Sequence, residues 1–399
     1  MCEYAFNELC LARPEWPGEE YAFLRERDML AFHQALPGYA PTPLLELPAL
    51  AARLGLAGIF VKDESQRFGI KAFKALGASY AMYRFLKQRW QERFPEPFTP
   101  ECFRDRAALK KLGAFTFCAA TDGNHGRAVA WTARMLGQKA VIYMPAGSVA
   151  ARVENIRGEG AEVVLIEGTF DLCVERCAAD AAKNGWQAIS DTAYPGYRDI
   201  PGWILLGYTT IFAELEGLLH GPMKIGVDTV ILPAGVGGLA AAGAVFYSKR
   251  YGAKRPALIC IEPVSSDCFL ESVRHGKGAP LPTRGEQTSI MAGLNCGVPS
   301  PLAWPFLRDA FPFFLAVGDA WAEQAMRRYH QPLKDDPRIV SGESGSSGLA
   351  ALLALTTAPK LAAARAKLPL GPDSRVLLIN TEGDTDPENF KKVTDVRDG

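Results

Sequence analysis

The chain has 399 residues, 48% of them hydrophobic and 22% charged, and its 44 basic and 44 acidic side chains cancel. A chain of this length exceeds the roughly 250–300 residues at which one hydrophobic core stops growing, so two lobes are expected. The balanced charge excludes the basic surface of a nucleic-acid or anionic-membrane binder, and the composition is that of an ordinary soluble globular protein.

The first residues, MCEYAFNELCLARPEWPGEE, carry acidic groups early and no basic run before an apolar stretch, so no signal peptide is expected. Residues 1–45 are rich in aromatics, Pro and Glu and read as a wrapping arm. YAPTPLLELPAL (39–50) is an extended lead-in, because residues before proline avoid the helical region. A helix over 49–55 and a strand over 58–62 follow, and then a helix over 74–90. The insert 91–113, with three early prolines, reads as a loop closed by a short helix.

Strands and helices then alternate: strand 114–121, helix 127–137, strand 140–145, helix 148–160, strand 161–168, helix 169–185 and strand 186–192. Short connections between β and α segments indicate a mostly parallel sheet covered by helices. A long helix over 201–219 precedes the strand 229–235, the helix 237–252 and the strand 257–263. The uncharged window 229–248 has the length of a membrane span. Pro233 and the glycines after it favour strand, loop and helix instead, so no membrane partner is expected. Residues 264–300 read as loop, followed by helices 319–330 and 346–356 and a strand 375–381.

Nine cysteines are scattered without CxxC spacing and five histidines without clustering, so no metal site is expected. The cytoplasm is the expected compartment, with most thiols reduced and buried.

Four segments carry polar chemistry. FGIKAFKALG (68–77) puts Lys71 and Lys74 at a helix start, where the helix dipole and apolar neighbours disfavour the ammonium. A lysine held towards the neutral amine can form a Schiff base, although both could equally be solvated helix-start residues. PAGVGGLAAAG (233–243) follows a strand and opens a helix, an arrangement in which glycines let an anion approach the amides. It lacks GK[ST], so a nucleotide P-loop is excluded. A dinucleotide reading would need an acidic residue on the ribose, for which Glu262 comes closest, and a ligand-free β–α turn is the plain alternative. TDGNHGRAVA (121–130) places Asp122, Asn124 and His125 on a turn after a strand; Asp122 and Asn124 could serve there only as caps. VSGESGSSG (340–348) and INTEGDTD (379–386) add small polar residues and carboxylates that ordinary glycine turns also explain.

The order FK at a helix start, T-x-G-N-H-G, then PAGVGG resembles the pyridoxal-phosphate enzymes of the tryptophan-synthase-β type, which include threonine dehydratase and serine racemase. KDESQRFGIKAFKALG, ATDGNHGRAVAW, SDTAYPGY, IPGW, IMAGLNCG, VSGESG and TEGDTD are more closely similar to the 2,3-diaminopropionate ammonia-lyases, over residues 40–390. The resemblance implies an α/β, two-lobed fold of type II, mostly parallel sheets flanked by helices. It implies a larger cofactor-binding lobe of residues 1–85 and 192–399 and a smaller one of 86–191. It also implies the α,β-elimination of 2,3-diaminopropionate, in the D and L forms, by a carbon–nitrogen lyase acting in amino acid catabolism.

Residue by residue, the resemblance makes Lys74 the Schiff-base lysine for pyridoxal 5′-phosphate. Gly235, Val236, Gly237, Gly238 and Leu239 bind the phosphate, Asn124 faces the ring hydroxyl oxygen, and Thr381 or its neighbour meets the pyridine nitrogen. Phe73, Glu343 and Asn380 complete the cofactor set. Serine is common in the family where this chain has Asn380, which leaves the pyridine partner open. Asp122 and Asp191 are the candidate bases, Asp122 for one enantiomer and Asp191 or Lys74 for the other. The expected partners are a small amino acid substrate and a second copy of the chain, a homodimer by analogy. Cys268 and Cys296, in segments bordering the substrate entrance, are expected as free thiols. The rivals are a serine or threonine dehydratase on this fold, a nicotinamide-dependent dehydrogenase using loop 235–239, and a non-catalytic sensor.

Overall fold

Runs such as TVILP and FFLAV offer no polar face, and they form strands buried along their whole length. The structure is a computed structural model, and it describes residues 1–121, 123–168, 170–219 and 226–396. In chain order its strands are β1 (Cys2–Phe6), β2 (Leu44–Glu46), β3 (Gly58–Asp63), β4 (Thr116–Ala120), β5 (Lys139–Pro145), β6 (Glu162–Ile166), β7 (Gln187–Ala188), β8 (Thr229–Pro233), β9 (Ala257–Pro263), β10 (Phe313–Val317) and β11 (Arg375–Asn380).

The chain divides into two compact units. The first holds residues 1–19, 41–66 and 211–399. Its seven-stranded sheet runs β1-β10-β9-β8-β11-β3-β2. The five inner strands are mutually parallel, and the edge strands β1 and β2 run antiparallel to their neighbours. Ile59, Val61, Ile231, Ile259 and Leu378 face a common core with Leu349 and Leu352 of the helix Ser347–Thr357. Each such side chain contributes about 1.5–3 kcal/mol by burial.

The second unit holds residues 20–40 and 67–210. Its four strands, β6-β5-β4-β7, are all parallel. The helix Lys74–Gln91 contains neither Pro nor a β-branched residue and buries twelve of its residues. Sequence alone started this unit at residue 86. Buried His33 ties residues 20–40 into it, bonding Thr210 Oγ1 at 2.7 Å and the Leu76 carbonyl at 2.9 Å. Phe32 stacks on Tyr83 at 4.4 Å in the same place.

Three further differences have physical causes. The N-terminal arm is partly strand, because Cys2–Phe6 covers the free edge of β10. Strand 186–192 shrinks to two residues, since the backbone turns after Ala188 to a bridge between Tyr194 and Tyr197. The segment 264–300 contains the helix Cys268–His275, whose first amides are capped by a buried carboxylate from β9. The window 229–248 is β8, a loop and the start of the helix Gly238–Tyr251. Among the described residues no single helix is long and apolar enough to cross a membrane.

Candidate active site

Lys74 opens its helix next to a close helix crossing. A Cβ on Gly77 would sit 2.5 Å from Tyr208 Cε1, and one on Gly207 would sit 2.4 Å from the Leu76 carbonyl oxygen. Glycine at both positions therefore lets the helix Asp199–Leu219 lie against the first turn. Phe73 packs against the Tyr208 ring, centres 4.7 Å apart and planes tilted by 56°, and Lys74 Nζ lies 5.9 Å from that ring's centre. The Tyr208 hydroxyl is buried without a hydrogen-bond partner, and burial pushes its pKa up.

Lys74 Nζ donates to Asp191 Oδ2 at 2.7 Å, with each side chain about one-fifth exposed (18% and 20%). Burial alone would raise the Asp191 carboxyl, but the Lys74 and His125 charges and the Lys74 hydrogen bond hold it well below the usual carboxylate range. A carboxylate in contact favours the ammonium, opposing the helix start that disfavours it.

The backbone carrying Asp191 is fixed by Tyr197, a residue inside a recognised segment but without a role of its own in the sequence reading. Its hydroxyl donates to the Ala188 carbonyl at 2.9 Å and accepts from the Ser190 amide at 2.9 Å. Tyr197 also stacks on Tyr194 at 4.7 Å.

Asn124 and His125 lie in the first turn of the helix Asn124–Leu136, not on a free turn. Thr121 Oγ1 accepts from the Gly123 amide at 2.9 Å and the Gly126 amide at 3.1 Å, which starts the helix directly after β4. Asn124 is half-buried. Asp122 lies outside the described residues. His125 is 5% exposed; its Nε2 bonds the Ile189 carbonyl at 2.6 Å, and its Nδ1 lies 3.9 Å from Asp191 Oδ2. Burial holds this imidazole below its usual pKa, with Asp191 opposing and Lys74 reinforcing the shift. Lys74, Asp191, His125 and Tyr208 thus come together in the second unit, a grouping in which Tyr208 carried no sequence signal beyond its place on a long apolar helix.

The remaining candidates belong to the first unit. Gly235, Val236 and Gly237 link β8 to the helix Gly238–Tyr251, where Gly238 and Leu239 form the first turn. Gly237 has φ +96, and a Cβ there would meet Phe269 Cζ at 2.5 Å. A Cβ on Gly235 would meet the Gly293 carbonyl oxygen at 2.9 Å and Cys296 Sγ at 3.0 Å. Only bare backbone fits, and the first amides of a helix have no partner inside it. Neither Cys268 nor Cys296 is in a disulfide.

Glu262 is fully buried, and its two oxygens accept from the Phe269 amide at 2.8 Å and the Leu270 amide at 2.9 Å. Burial pushes its carboxyl up to about 8, against those two bonds. It caps a helix and offers no oxygen to a ribose, so the dinucleotide reading loses its best support.

Asn380 pairs in register with Asp63, the last residue of β3, and Asn380 Nδ2 donates to Asp63 Oδ1 at 2.8 Å and to the Val340 carbonyl at 3.0 Å. Asn380 Oδ1 is buried without a partner. Thr381, next along, is 4% exposed. Glu343 is 2% exposed and accepts from Asn389 Nδ2. Glu382 ties the neighbouring turn by accepting from the Ser344 amide at 3.0 Å.

Each unit by itself offers groups that suit part of a phosphorylated aldehyde cofactor. The second unit has a lysine near buried polar atoms without hydrogen-bond partners; the first has a side-chain-free cradle before a fourteen-residue helix, and uncharged Asn380 at the end of β11 with Thr381 after it. Comparison with known proteins agrees. The family model "Pyridoxal-phosphate dependent enzyme" matches residues 35–382. The diaminopropionate ammonia-lyase of Escherichia coli K12 is 40% identical over 362 residues, covering 91% of this chain and 89% of that protein. The human serine dehydratase-like protein is 27% identical over 79% of this chain and 82% of that one. The crystal structure of the E. coli diaminopropionate ammonia-lyase, in complex with an aminoacrylate–PLP azomethine reaction intermediate, superposes with a TM-score of 0.86 at 37% identity, covering 99% of this chain and 97% of that one.

Proposed function

We propose a division of labour among the residues of a chain that belongs to the pyridoxal-phosphate-dependent enzymes and, within them, to the diaminopropionate ammonia-lyase family. The chain is a carbon–nitrogen lyase that eliminates ammonia from 2,3-diaminopropionate, giving pyruvate and two ammonia. Pyridoxal phosphate supplies the electron sink that makes the substrate Cα acidic.

Lys74 holds the cofactor covalently, with Phe73 packed beside it. The amides of Gly235, Val236, Gly237, Gly238 and Leu239 hold the phosphate, and Asn124 faces the ring hydroxyl. Thr381, with Asn380 and Glu343 next to it, meets the pyridine nitrogen. The support for an uncharged partner there is that Asn380 gives its amide hydrogens to Asp63 and Val340, and that Thr381, the residue after β11, carries a buried, uncharged hydroxyl.

The proton work falls to carboxylates. A β-amine leaves poorly as an amide anion and well as ammonia, so it is held as ammonium beside a carboxylate, and a base takes the Cα proton. Asp122 serves one enantiomer, and Asp191 or Lys74 the other. The observation that carries this reading is the Lys74–Asp191 pair: a carboxylate in contact with the cofactor lysine is what an ammonium-bearing substrate requires and a hydroxy-amino acid does not. The homodimer rests on family analogy, and the cytoplasmic setting on nine scattered cysteines without a disulfide pattern.

The test is pyruvate release from D- and L-2,3-diaminopropionate beside L-serine and L-threonine. Diaminopropionate is expected to be preferred by orders of magnitude, and a preference for serine would move the chain to the dehydratases. Asp122→Asn is expected to abolish turnover of one enantiomer only, and equal loss on both would sink the two-base assignment.

A further inference from the structure

We propose that Ser344 is a positioning residue for the phosphate cradle: its hydroxyl holds the short turn Ala292–Leu294 against Gly235, and its own amide anchors that turn to the end of β11. This rests on the reading of residues 235–239 as the phosphate site. It gives a task to the segment VSGESGSSG (340–348), all of which belongs, with the cradle, to the first unit.

Three observations carry it. The first is the wall. A Cβ on Gly235 would meet the Gly293 carbonyl oxygen at 2.9 Å and Cys296 Sγ at 3.0 Å, so the turn closes directly on the first cradle residue. Val236 is held separately, its carbonyl accepting from the Ser300 amide at 3.1 Å. The second is the tie. Ala292–Leu294 is a single 3-10 turn outside both sheets. Its Gly293 amide donates to Ser344 Oγ at 3.0 Å. Asn295 fixes the far end of the turn: its Oδ1 accepts from Ser266 Oγ and from the Ser289 amide, each at 3.1 Å, and its Nδ2 donates to the Ser289 carbonyl at 2.7 Å. The third is the anchor. Ser344 is 4% exposed, and its amide donates to Glu382 Oε1 at 3.0 Å. The Glu382 carbonyl accepts from the Gly342 amide at 3.1 Å, and a Cβ on Gly345 would meet Asn380 Oδ1 at 2.4 Å. Residues 342–345 are therefore locked onto residues 380–382, which continue an inner strand of the sheet.

Backbone amides bind an anion only as well as they are aimed, and the aim of the first cradle residue depends on what stands behind it. Loss of the Ser344 hydroxyl frees the Gly293 backbone to move off Gly235. Gly293 is exposed, so water takes the freed amide and the fold loses little. The cradle loses a fixed wall. A ligand without a phosphate does not feel that loss, and a phosphorylated one does.

The test titrates the cofactor-free full chain, by absorbance, with pyridoxal 5′-phosphate and with pyridoxal, which keeps the ring and aldehyde but carries no phosphate. Ser344→Ala is expected to weaken binding of the phosphate ester by about tenfold and that of pyridoxal by less than about threefold. The thermal midpoint of the cofactor-free chain is expected to stay within about 3 °C of wild type. Gly293→Ala, whose Cβ would meet Ser344 Oγ at 3.0 Å, reaches the same contact from the other side and is expected to act in the same direction, which covers a Ser344→Ala chain that folds poorly. Gly235→Ala pushes on the same turn. Its penalty on the phosphate ester is expected to be smaller in Ser344→Ala than in wild type, by about threefold or more. Equal weakening of both ligands, unchanged binding of the phosphate ester in both variants, or a Gly235→Ala penalty equal in the two backgrounds overturns the proposal. An affinity ratio of the two ligands left untouched by both Gly235→Ala and Gly237→Ala removes the phosphate-cradle reading itself, and the proposal with it.

Discussion

Glu262→Gln separates a structural carboxylate from a ligand-binding one. Glu262 is fully buried beneath the helix Cys268–His275, and its carboxyl is raised from its ordinary 4.5 to about 8. Between those values the folded chain binds a proton that the unfolded chain has lost, so stability falls as pH rises. The slope is about 1.36 kcal/mol per pH unit, which over the window amounts to up to about 5 kcal/mol. The contribution is fully present below pH 4.5 and is gone above the folded value of about 8. Glutamine removes the titration and offers one acceptor oxygen to the two amides of Phe269 and Leu270. The lost bond costs about 1 kcal/mol at all pH values. The variant is therefore expected to be slightly less stable than wild type at pH 5, to cross it by about pH 6, and to exceed it by several kcal/mol at pH 8. Urea unfolding from pH 5 to 9 measures both curves. Parallel curves would refute the claim that Glu262 is neutral in the fold. A large loss of cofactor affinity in Glu262→Gln at pH 5, where stability is nearly matched, would refute the claim that it is only a cap.

Two other substitutions probe the parts that hold the site. Gly237→Ala forces a side chain into φ +96 with its Cβ 2.5 Å from the Phe269 ring; a stability loss of about 1–3 kcal/mol is expected in urea, together with cofactor lost on dialysis, followed by its visible absorbance. Tyr197→Phe leaves the Ser190 amide and the Ala188 carbonyl without their shared hydroxyl. It should cost about 1–3 kcal/mol and lower kcat more than it raises KM, because it loosens the backbone that carries Asp191.

The elements most legible in the sequence are those whose pattern is local. GIFVKD, TVILP and ALICIEP are buried on both faces, so their apolar runs announce them, and the observed strands fall within two residues of the expected ones. Glycines before a helix mark the cradle at 235–237 for the same reason: a backbone that tolerates no Cβ must be written with glycine. Long-range partners leave no such mark. The strand Cys2–Phe6 exists because β10 has a free edge more than three hundred residues away, and nothing within CEYAF says so. Glu262 reads as a ligand group because the end of a strand is where ligand groups stand. Its actual partners are two amides whose helix had been read as loop.

The surroundings of Lys74 show the same limit of local pattern. The helix start and the apolar neighbours are local and argue for a neutral amine, whereas the carboxylate that opposes them lies 117 residues on. The same carboxylate has a second basic nitrogen, His125 Nδ1, 3.9 Å away. Lys74, His125 and Asp191 come from a helix start, a helix first turn and the segment after a short strand, so their meeting is a property of the fold and of no one motif.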